Sequence, residues 1–333
     1  MNKIKTILRY AKKIDIKNML KIIKEVSSKS NKNIVYIFLD VIYCGLVYGA
    51  GYYDYQEFEF YLLNRKERKT YLTRAKNNLI IKSYNNKDDF YKLDDKGLFN
   101  KNFKQYIKRD YLVINDTSFT KFKNFTKKHQ ELIVKPIDGD GGRGVEKVII
   151  KKNTDLKRLF NKLLKNKQIL IEECVKQHKE INKLYSKSVN TLRLFTFYDG
   201  KEVYILNSVF KIGNGGVTDS FSSGSMYTFV TDEGVIAVPA IDQNDKIFKI
   251  HPITKKEIIG FKVPLYKEAC DLVKKGAKLT PTIKYIGWDV ALTPNGPAII
   301  EGNSFPGVYQ IKPSFLKDKI GLIPKYQKVM KIK

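Results

Sequence analysis

The stretch "KPIDGDGGRGVEKV", from Lys135 to Val148, packs four glycines into a short loop and spells G-x-G-x-x-G from Gly139 to Gly144. Dinucleotide-binding turns share this spacing, but they lead from a strand into a helix. Here the loop leads into "VEKVII", which is β-branched and alternating, so we predict a loop between two strands. The pattern therefore disfavours a dinucleotide-binding turn, while a plain hairpin loop without a ligand stays open on these residues alone.

Other phosphate-binding loops fit this stretch poorly. Arg143 and Gly144 stand where the P-loop needs Gly-Lys-Ser/Thr, and the chain has neither the H-R-D nor the D-F-G triplet of protein kinases. Lys135 precedes the loop and ends the strand "ELIVKP". A glycine hairpin with a lysine before it suits a flap over a triphosphate, with backbone N–H groups bonded to phosphate oxygens.

Composition excludes several classes of protein. The 333 residues include three cysteines and three histidines at wide spacings, which argues against a disulfide framework and against a common zinc site. The net charge of +28 comes mainly from lysine. Nucleic-acid readers favour arginine for bidentate contacts, so nucleic acid is not expected as a partner. A solvated lysine-rich surface, an acidic substrate or a peripheral membrane contact remain as explanations.

The first 90 residues predict helices. The run from Ile34 to Gly51 is apolar enough to suggest a membrane span, but Asp40 lies near its middle, so we predict a helix buried in a soluble domain. The start of the chain lacks the pattern of a secretory signal and predicts a basic helix. We expect a cytoplasmic protein, at the inner face of the membrane if this helix makes a peripheral contact.

The stretch "GWDVALTPNGPAIIEGN", from Gly287 to Asn303, predicts a hairpin that carries acids on one face. Magnesium is held by carboxylates together with phosphate oxygens and water. A three-residue connection, Pro294 to Gly296 with Gly296 left-handed, would place Asp289 directly opposite Glu301. We therefore predict an odd-length connection and two magnesium ions that bridge the phosphates to Asp289, Glu301 and Asn303.

The order of these motifs resembles the ATP-grasp superfamily. The matching pieces are "LIVKP" with "GDGGRGV", "ILIEECV", "NTLRLFT", "GWDVAL" and "IIEGN", and the closer likeness is to the sugar-transfer-associated ATP-grasp proteins of bacterial capsule and exopolysaccharide biosynthesis. The resemblance implies an α+β ATP-grasp fold, with two α+β subdomains that clasp ATP behind a helical N-terminal region. The expected divisions are a helical region over 1–93, a first subdomain over 94–176 and a second over 177–333.

The resemblance also implies roles for individual residues. Lys135 would contact the α- and β-phosphates, together with a loop that includes Gly141, Gly142, Arg143 and Gly144, although Arg143 is equally compatible with solvent. Glu173, Cys174 and Val175 would form the adenine hinge and Glu180 would hold the ribose. Arg193 and Lys211 are expected catalytic cations over the γ-phosphate, or else ordinary charges of the sheet surface. Candidate substrate contacts are Asn190, Asp219, Ser222, Ser223, Gly224 and His251, the last of which also suits a turn.

The resulting functional hypothesis is an ATP-dependent carboxylate–amine ligase that uses magnesium and works through an acyl phosphate. Its substrate would be a small molecule or a surface-glycan precursor, such as a uronic acid joined to an amino acid or amine. Two alternatives stay open at this point: a small-molecule or sugar kinase on the same fold, and a lysine-rich protein that binds nucleic acid or membrane surfaces through charge. The sequence does not predict the oligomeric state.

Overall fold

The computed structural model describes residues 15–139, 142–215 and 224–332. These residues form two compact units: one contains 15–79 and 307–332, and the other is Ile80–Pro306. The domain boundaries expected from the sequence differ from this division, because the C-terminal residues join the helical unit. Gln310 is bonded to both backbone groups of Leu72, accepting from its N–H at 2.9 Å and donating to its carbonyl at 2.7 Å.

Among the described residues, most helices lie early in the chain and most strands lie later. The helices are α1 (Ile16–Ser30), α2 (Ile34–Tyr48), α3 (Tyr52–Glu57), α4 (Arg65–Lys69), α5 (Arg74–Tyr84), α6 (Tyr91–Asp94), α7 (Lys96–Asn102), α8 (Lys104–Ile107), α9 (Phe119–Lys128), α10 (Leu156–Lys165), α11 (Lys179–Leu184), α12 (Tyr266–Lys278) and α13 (Ile323–Gln327). The strands are β1 (Tyr111–Val113), β2 (Glu131–Lys135), β3 (Glu146–Ile149), β4 (Leu170–Glu173), β5 (Thr191–Tyr198), β6 (Val203–Ile212), β7 (Met226–Phe229), β8 (Ala240–Asp242), β9 (Ile247–Phe248), β10 (Tyr285–Thr293) and β11 (Gly296–Asn303).

The described part of the helical unit is built around α2, which buries only one of its faces. Ile37, Val41, Cys44 and Tyr48 lie in the core of the unit, at the i, i+4, i+7 spacing of one helix face. The opposite face is exposed, so the prediction of a buried helix is correct for one face only. Asp40, whose charge argued against a membrane span, is turned inward and paired with Arg68.

None of the described helices is both long enough and apolar enough to cross a membrane.

The first sheet of the larger unit has four antiparallel strands in the order β1-β4-β2-β3. One face is covered by α9 and α10, whose Phe122 and Phe160 are fully buried against Leu132 and Ile171. Strand alternation therefore turns Lys135 and Glu172 to the other face. The sheet lies inside the expected first subdomain, and the glycine loop joins β2 to β3, two antiparallel neighbours.

The second sheet has seven antiparallel strands in the order β11-β10-β5-β6-β7-β8-β9. Helix α12 covers one face and buries Val273 in the core that contains Trp288. β11 is an edge strand, and the short helices α6, α7 and α8 lie against it.

The β10–β11 hairpin corrects one detail of the sequence analysis. Thr293 pairs with Gly296, so the connection has two residues rather than an odd number, and Gly296 has a φ of 99°. Two residues alone would place Asp289 opposite Ile300. A β-bulge in β11 adds one residue between Ile299 and Glu301, and this shifts the register so that Asp289 pairs with Glu301.

Candidate nucleotide and metal site

Charged side chains form a row across three adjacent strands of the second sheet. Glu301 on β11 pairs with Asp289 on β10, which in turn pairs with Arg193 on β5. The Arg193 guanidinium donates two hydrogen bonds to the Asp289 carboxylate, from Nε to Oδ1 at 2.5 Å and from Nη2 to Oδ2 at 2.7 Å. Lys211 on β6 adds a third contact, with its Nζ 3.0 Å from Oδ2. Two cations therefore surround one of the two carboxylates.

The two carboxylates of this row differ in their electrostatics. Burial opposes ionisation of Asp289, but Arg193 and Lys211 hold the pKa of its carboxyl well below the usual range. Burial and the facing Asp289 together raise the pKa of Glu301. Among the described residues, the Glu301 carboxylate has no hydrogen-bonding partner. The charges of Arg193, Lys211 and Lys135 offset part of the rise in its pKa. Because two neighbouring carboxylates are stabilised by positive charge, this pair of acids suits a cation.

The donor set around Glu301 fits magnesium. Asp289 and Glu301 supply carboxylate oxygens on facing strands, and Asn303 lies two residues further along β11 on the same face. Asn303 Nδ2 donates to the Gly287 carbonyl at 3.1 Å, so its amide oxygen is the atom open to a cation. Hard oxygen ligands of this kind suit Mg²⁺.

A second charged cluster surrounds Glu172 on the first sheet. Its carboxylate accepts from Lys135 Nζ at 2.7 Å, from Arg109 at 2.9 Å and from Asn100 Nδ2 at 2.6 Å. Burial opposes ionisation of Glu172, but Arg109 and then Lys135 lower its pKa to about 2. Burial also lowers the pKa of Lys135, and the Glu172 carboxylate opposes this shift. The sequence analysis identified Lys135 but not its partners.

Arg109 connects this cluster to the bulge of β11. Its two terminal nitrogens donate to the carbonyls of Ile299, at 2.7 Å, and Ile300, at 3.0 Å, while one of them also contacts Glu172. The bulge leaves backbone groups at this sheet edge without ladder partners, and a guanidinium can serve both carbonyls at once. No sequence signal marks Arg109, because Glu172, Ile299 and Ile300 lie 63, 190 and 191 residues away in the chain.

An open cleft of about 920 Å³ lies beside the two clusters. Lys96, Lys135 and Arg143 line it with positive charge, and Glu301 and Asn303 line it with the oxygen ligands described above. Lys96, at the start of α7, also donates to the Gly139 carbonyl of the glycine loop. Three further acids, Asp94, Asp95 and Asp138, also line the cleft. The cleft therefore joins cations, a glycine loop and several oxygen donors, and this combination suits a nucleotide phosphate chain with magnesium.

The glycine loop is only partly described. Gly142 and Gly144 both have positive φ, at 74° and 72°, which favours glycine at these two positions. The Gly144 carbonyl accepts from Gln168 Nε2 at 2.9 Å, which anchors the end of the loop near β4. The candidate phosphate ligand Gly141 lies outside the described residues.

The expected adenine hinge does not line this cleft. The Glu173 carboxylate turns to the side opposite Glu172, where it accepts from the Asp110 N–H at 3.1 Å and lies 3.8 Å from His129 Nδ1. The Glu173 side chain therefore points away from the Lys135 cleft, because neighbouring side chains of a strand alternate in direction, and its role in an adenine hinge stays a prediction. The backbone N–H of Cys174 donates to Glu131 at 3.1 Å.

The other hinge and ribose candidates are also outside the cleft. Burial raises the pKa of Cys174, which agrees with a packing residue rather than a nucleophile. Glu180 lies in the first turn of α11 and pairs with Lys183 at 2.6 Å. Val175 follows β4 and is partly buried.

Two of the candidate substrate residues support a loop. Asn190 Oδ1 accepts from the N–H of Gly213 at 2.8 Å, and the His251 ring lies 2.9 Å from the Gly213 carbonyl. His251 Nδ1 accepts from two backbone N–H groups, so the other ring nitrogen donates to Gly213. Both side chains are fully buried, so the contacts that the structure gives them are with Gly213, and substrate contact by either stays a prediction. Gly213 begins the glycine-rich stretch that carries the candidates Asp219, Ser222, Ser223 and Gly224.

Gly224 has a φ of 86° at the far end of that loop, and Asp219, Ser222 and Ser223 lie outside the described residues.

Gly213→Ala is expected to disturb the base of this loop. A Cβ at position 213 would lie 2.1 Å from Ser188 Oγ and 2.6 Å from the Tyr185 ring, so the backbone must move. We expect a loss of roughly 1–3 kcal/mol in the free energy of unfolding, measured by urea denaturation. Gly215→Ala is the control for added volume, because a Cβ there meets no atom within 4 Å, although its φ of 93° adds strain of its own. Equal stability of Gly213→Ala and the parent protein would contradict the close packing.

Comparison with known families identifies the class of protein. Residues 75–330 match the family described as sugar-transfer associated ATP-grasp. The match covers well over half of the chain, so the protein belongs to this family. This confirms the resemblance and the α+β ATP-grasp fold class that the sequence analysis predicted. No curated protein sequence matches the chain.

Several solved structures of ligases are similar to this chain at low identity. D-alanyl-alanine synthetase A from Vibrio cholerae is 15% identical, with a TM-score of 0.42, over 71% of this chain and 60% of that chain. The VanG D-Ala:D-Ser ligase from Enterococcus faecalis is 13% identical, with a TM-score of 0.44, over 71% and 61%. The ATP-grasp ligase PsnB, complexed with a minimal precursor, is 14% identical, with a TM-score of 0.40, over 67% and 56%. The chain spans less than two thirds of the length of each.

Proposed function

We propose that the protein is an ATP-dependent ligase that joins a carboxylate to an amine. The observation that carries this proposal is the pairing of Asp289 with Glu301, because Glu301 lines the same cleft as Lys135 and Gly139 of the glycine loop. Two facing carboxylates, beside cations that suit phosphate oxygens, form an arrangement that would suit a magnesium–nucleotide complex.

The cations of the cleft are proposed to bind the phosphate chain of ATP. Lys135 is held in place by Glu172, and Lys96 lies at the glycine loop. Arg143, inside the loop, would contact the outermost phosphate. Magnesium, when bound to Asp289, Glu301 and Asn303, would neutralise phosphate charge and orient the phosphoryl group.

Arg193 and Lys211 are proposed to have two tasks. They hold Asp289 ionised and fixed in direction, which keeps its oxygens available to a cation. Their positive charges would also stabilise negative charge as it develops on substrate oxygens.

The proposed reaction has two steps. In the first, a substrate carboxylate oxygen attacks the γ-phosphorus of ATP, the bond from that phosphorus to the β–γ bridging oxygen breaks, and ADP leaves. In the second, an amine nitrogen attacks the carbonyl carbon of the acyl phosphate, the C–O bond to phosphate breaks, and an amide, inorganic phosphate and one proton are released. No nucleophile from the protein is needed, in keeping with the raised pKa of Cys174.

The carboxylate substrate is proposed to be a surface-glycan precursor, such as a uronic acid. Two facts support this: the family is described as sugar-transfer associated, and the net charge of +28 would attract an acidic substrate. Asn190 and His251 are proposed as positioning residues, because both bond to Gly213 at the start of the stretch that carries the candidate substrate contacts.

The test is a screen for phosphate release from ATP with uronic acids and amines supplied singly and together. The ligase proposal expects release of ADP and phosphate only when both substrates are present, with an amide product found by mass spectrometry. Formation of a stable phosphorylated sugar without any amine would identify a kinase and overturn the ligase proposal. Failure of Mg²⁺–ATP to bind, measured by calorimetry, would overturn the nucleotide site itself.

Binding of magnesium is expected to strengthen as pH rises. The folded-state pKa of Glu301 is raised, so the protein without metal loses stability as pH increases from about 4.5 through that pKa, and Mg²⁺ competes with the bound proton. We expect the rise in melting temperature caused by MgCl₂ with ADP to grow with pH over this window. Glu301→Gln should remove this pH dependence, whereas Glu268→Gln, an exposed acid on α12, should keep it. A magnesium effect that is constant with pH in the parent protein would contradict the role of Glu301.

A further inference from the structure

The outer face of α2 is a large apolar surface with no charge on it. Seven positions of this face are exposed, including Val35 at 61%, Leu39 at 60% and Leu46 at 62%. Single exposed apolar residues are ordinary, but a continuous exposed patch marks a binding surface. The patch consists of Val35, Tyr36, Leu39, Ile42, Tyr43, Leu46 and Val47.

The exposed orientation of this face is fixed by the core of the helical unit. Asp40 is the one acid of α2, and it points inward, where Arg68 grips both of its oxygens at 2.7 Å and 2.6 Å. Tyr55 donates a further hydrogen bond to Asp40 at 2.7 Å. A rotation of α2 that buried its outer face would pull this ion pair apart and leave Arg68 without its partner. The apolar side is therefore held outward by a buried charge pair.

The segment that precedes the apolar face in the chain is strongly basic. Of the first 32 residues of the chain, ten are lysine or arginine and two are aspartate or glutamate. Helix α1 precedes α2 directly and exposes Lys17, Lys21 and Lys24 on one side, beside Ile16 and Leu20, which are themselves exposed at 62% and 42%. Helices that lie in the interface of an anionic membrane typically combine an apolar face, aromatic residues such as tyrosine, and adjacent lysines.

We propose that the outer face of α2 docks the protein onto an anionic lipid bilayer. The helix has 15 residues and is about 22 Å long, which is shorter than the roughly 30 Å hydrocarbon core of a bilayer, so it would lie in the plane of the interface. The apolar side chains enter the lipid while the lysines of α1 meet the acidic headgroups. A second copy of the chain is the less suitable occupant, because two surfaces of the same strong positive charge would repel each other.

Vesicle co-sedimentation of the full-length protein tests this proposal. Vesicles of phosphatidylcholine alone are compared with vesicles that also contain phosphatidylglycerol, at low and high salt. We expect binding to the anionic vesicles only, weakened by salt because the headgroup attraction is screened. The variant Leu39→Asp with Leu46→Asp should bind the anionic vesicles at least about tenfold more weakly, since two anchoring side chains are lost.

The control variant is Leu79→Asp with Leu279→Asp, which makes the same chemical change at two other exposed leucines, 54% and 45% exposed. It should bind like the parent protein, and circular dichroism should show that both variants are folded. The proposal is overturned if the parent protein does not bind anionic vesicles, if it binds neutral vesicles equally, or if the α2 variant binds as tightly as the control. A lipid-free dimer that the α2 variant alone abolishes would assign the face to a second copy and also overturn it.

Discussion

Asp289→Asn is expected to lower ATP-dependent turnover by at least about a hundredfold, the scale of losing one preorganised electrostatic partner. The substitution keeps the shape of the side chain but removes the charge that faces Glu301 and that Arg193 and Lys211 hold in place. Both cations would then be left in a buried row without their counter-ion. Turnover is measured as ADP release, and Mg²⁺–ADP affinity is measured by calorimetry.

Two controls separate this effect from a general loss of charge or of folding. Asp116→Asn removes the same charge at an exposed loop position and should leave turnover unchanged. Circular dichroism melting of Asp289→Asn should show a transition well above the assay temperature. Full turnover in folded Asp289→Asn would contradict the assignment of this carboxylate to the metal site.

Arg109→Ala is expected to cost roughly 3–5 kcal/mol in the free energy of unfolding, the usual range for breaking a buried charge pair. The substitution leaves Glu172 with Lys135 as its remaining cation and removes both donors to the bulge carbonyls of Ile299 and Ile300. Unfolding in urea, followed by tryptophan fluorescence of Trp288, measures the loss near this edge of the sheet.

Arg109→Lys is the informative companion variant. A lysine keeps the charge but cannot reach Glu172 and two carbonyls with a rigid fork, so it should recover only part of the stability. The exposed Arg158→Ala should change stability by no more than about 0.5 kcal/mol. A loss below about 1 kcal/mol in Arg109→Ala would show that this contact is not a main link between the first sheet and β11.

The sequence predicted those parts of the site that depend on local pattern. Alternation along β2 placed Lys135 on the face opposite Leu132 and Val134, and the spacing in the last hairpin placed Asp289 opposite Glu301. The first inference uses only the period of a strand, which is fixed by the backbone. The second also assumed a three-residue turn, and the pairing it predicted forms because the bulge in β11 supplies the residue that the two-residue turn lacks.

The parts that could not be predicted depend on contacts between distant segments. Arg109 meets Glu172 and β11 only through the fold, and of the two adjacent acids on β4 the motif singled out Glu173 rather than Glu172. Asn190 and His251 are buried and bonded to Gly213, which lies 23 and 38 residues away from them in the chain, so no local pattern indicates that they support this backbone position.

Helix α2 shows a different limit of prediction from sequence, which concerns the face of a helix that is buried. Its sequence is apolar on all sides, so the hydrophobic pattern has no preferred direction and cannot tell which face is buried. Asp40 argued from sequence for burial in a soluble domain, whereas in the fold it marks only the buried side.

The bulge in β11 separates two properties of the hairpin that are usually linked: the length of its turn and the pairing of residues along its strands. Asp289 and Glu301 are twelve positions apart in the chain. They can pair only if one residue between them is extra, either as a bulge in a strand or as a third residue of the turn. Here the extra residue is the bulge inside β11. A related chain could have it in the turn instead and bring the same two acids together. In an alignment of distant relatives, the gap at this hairpin can therefore move between turn and strand without any change in the chemistry of the site.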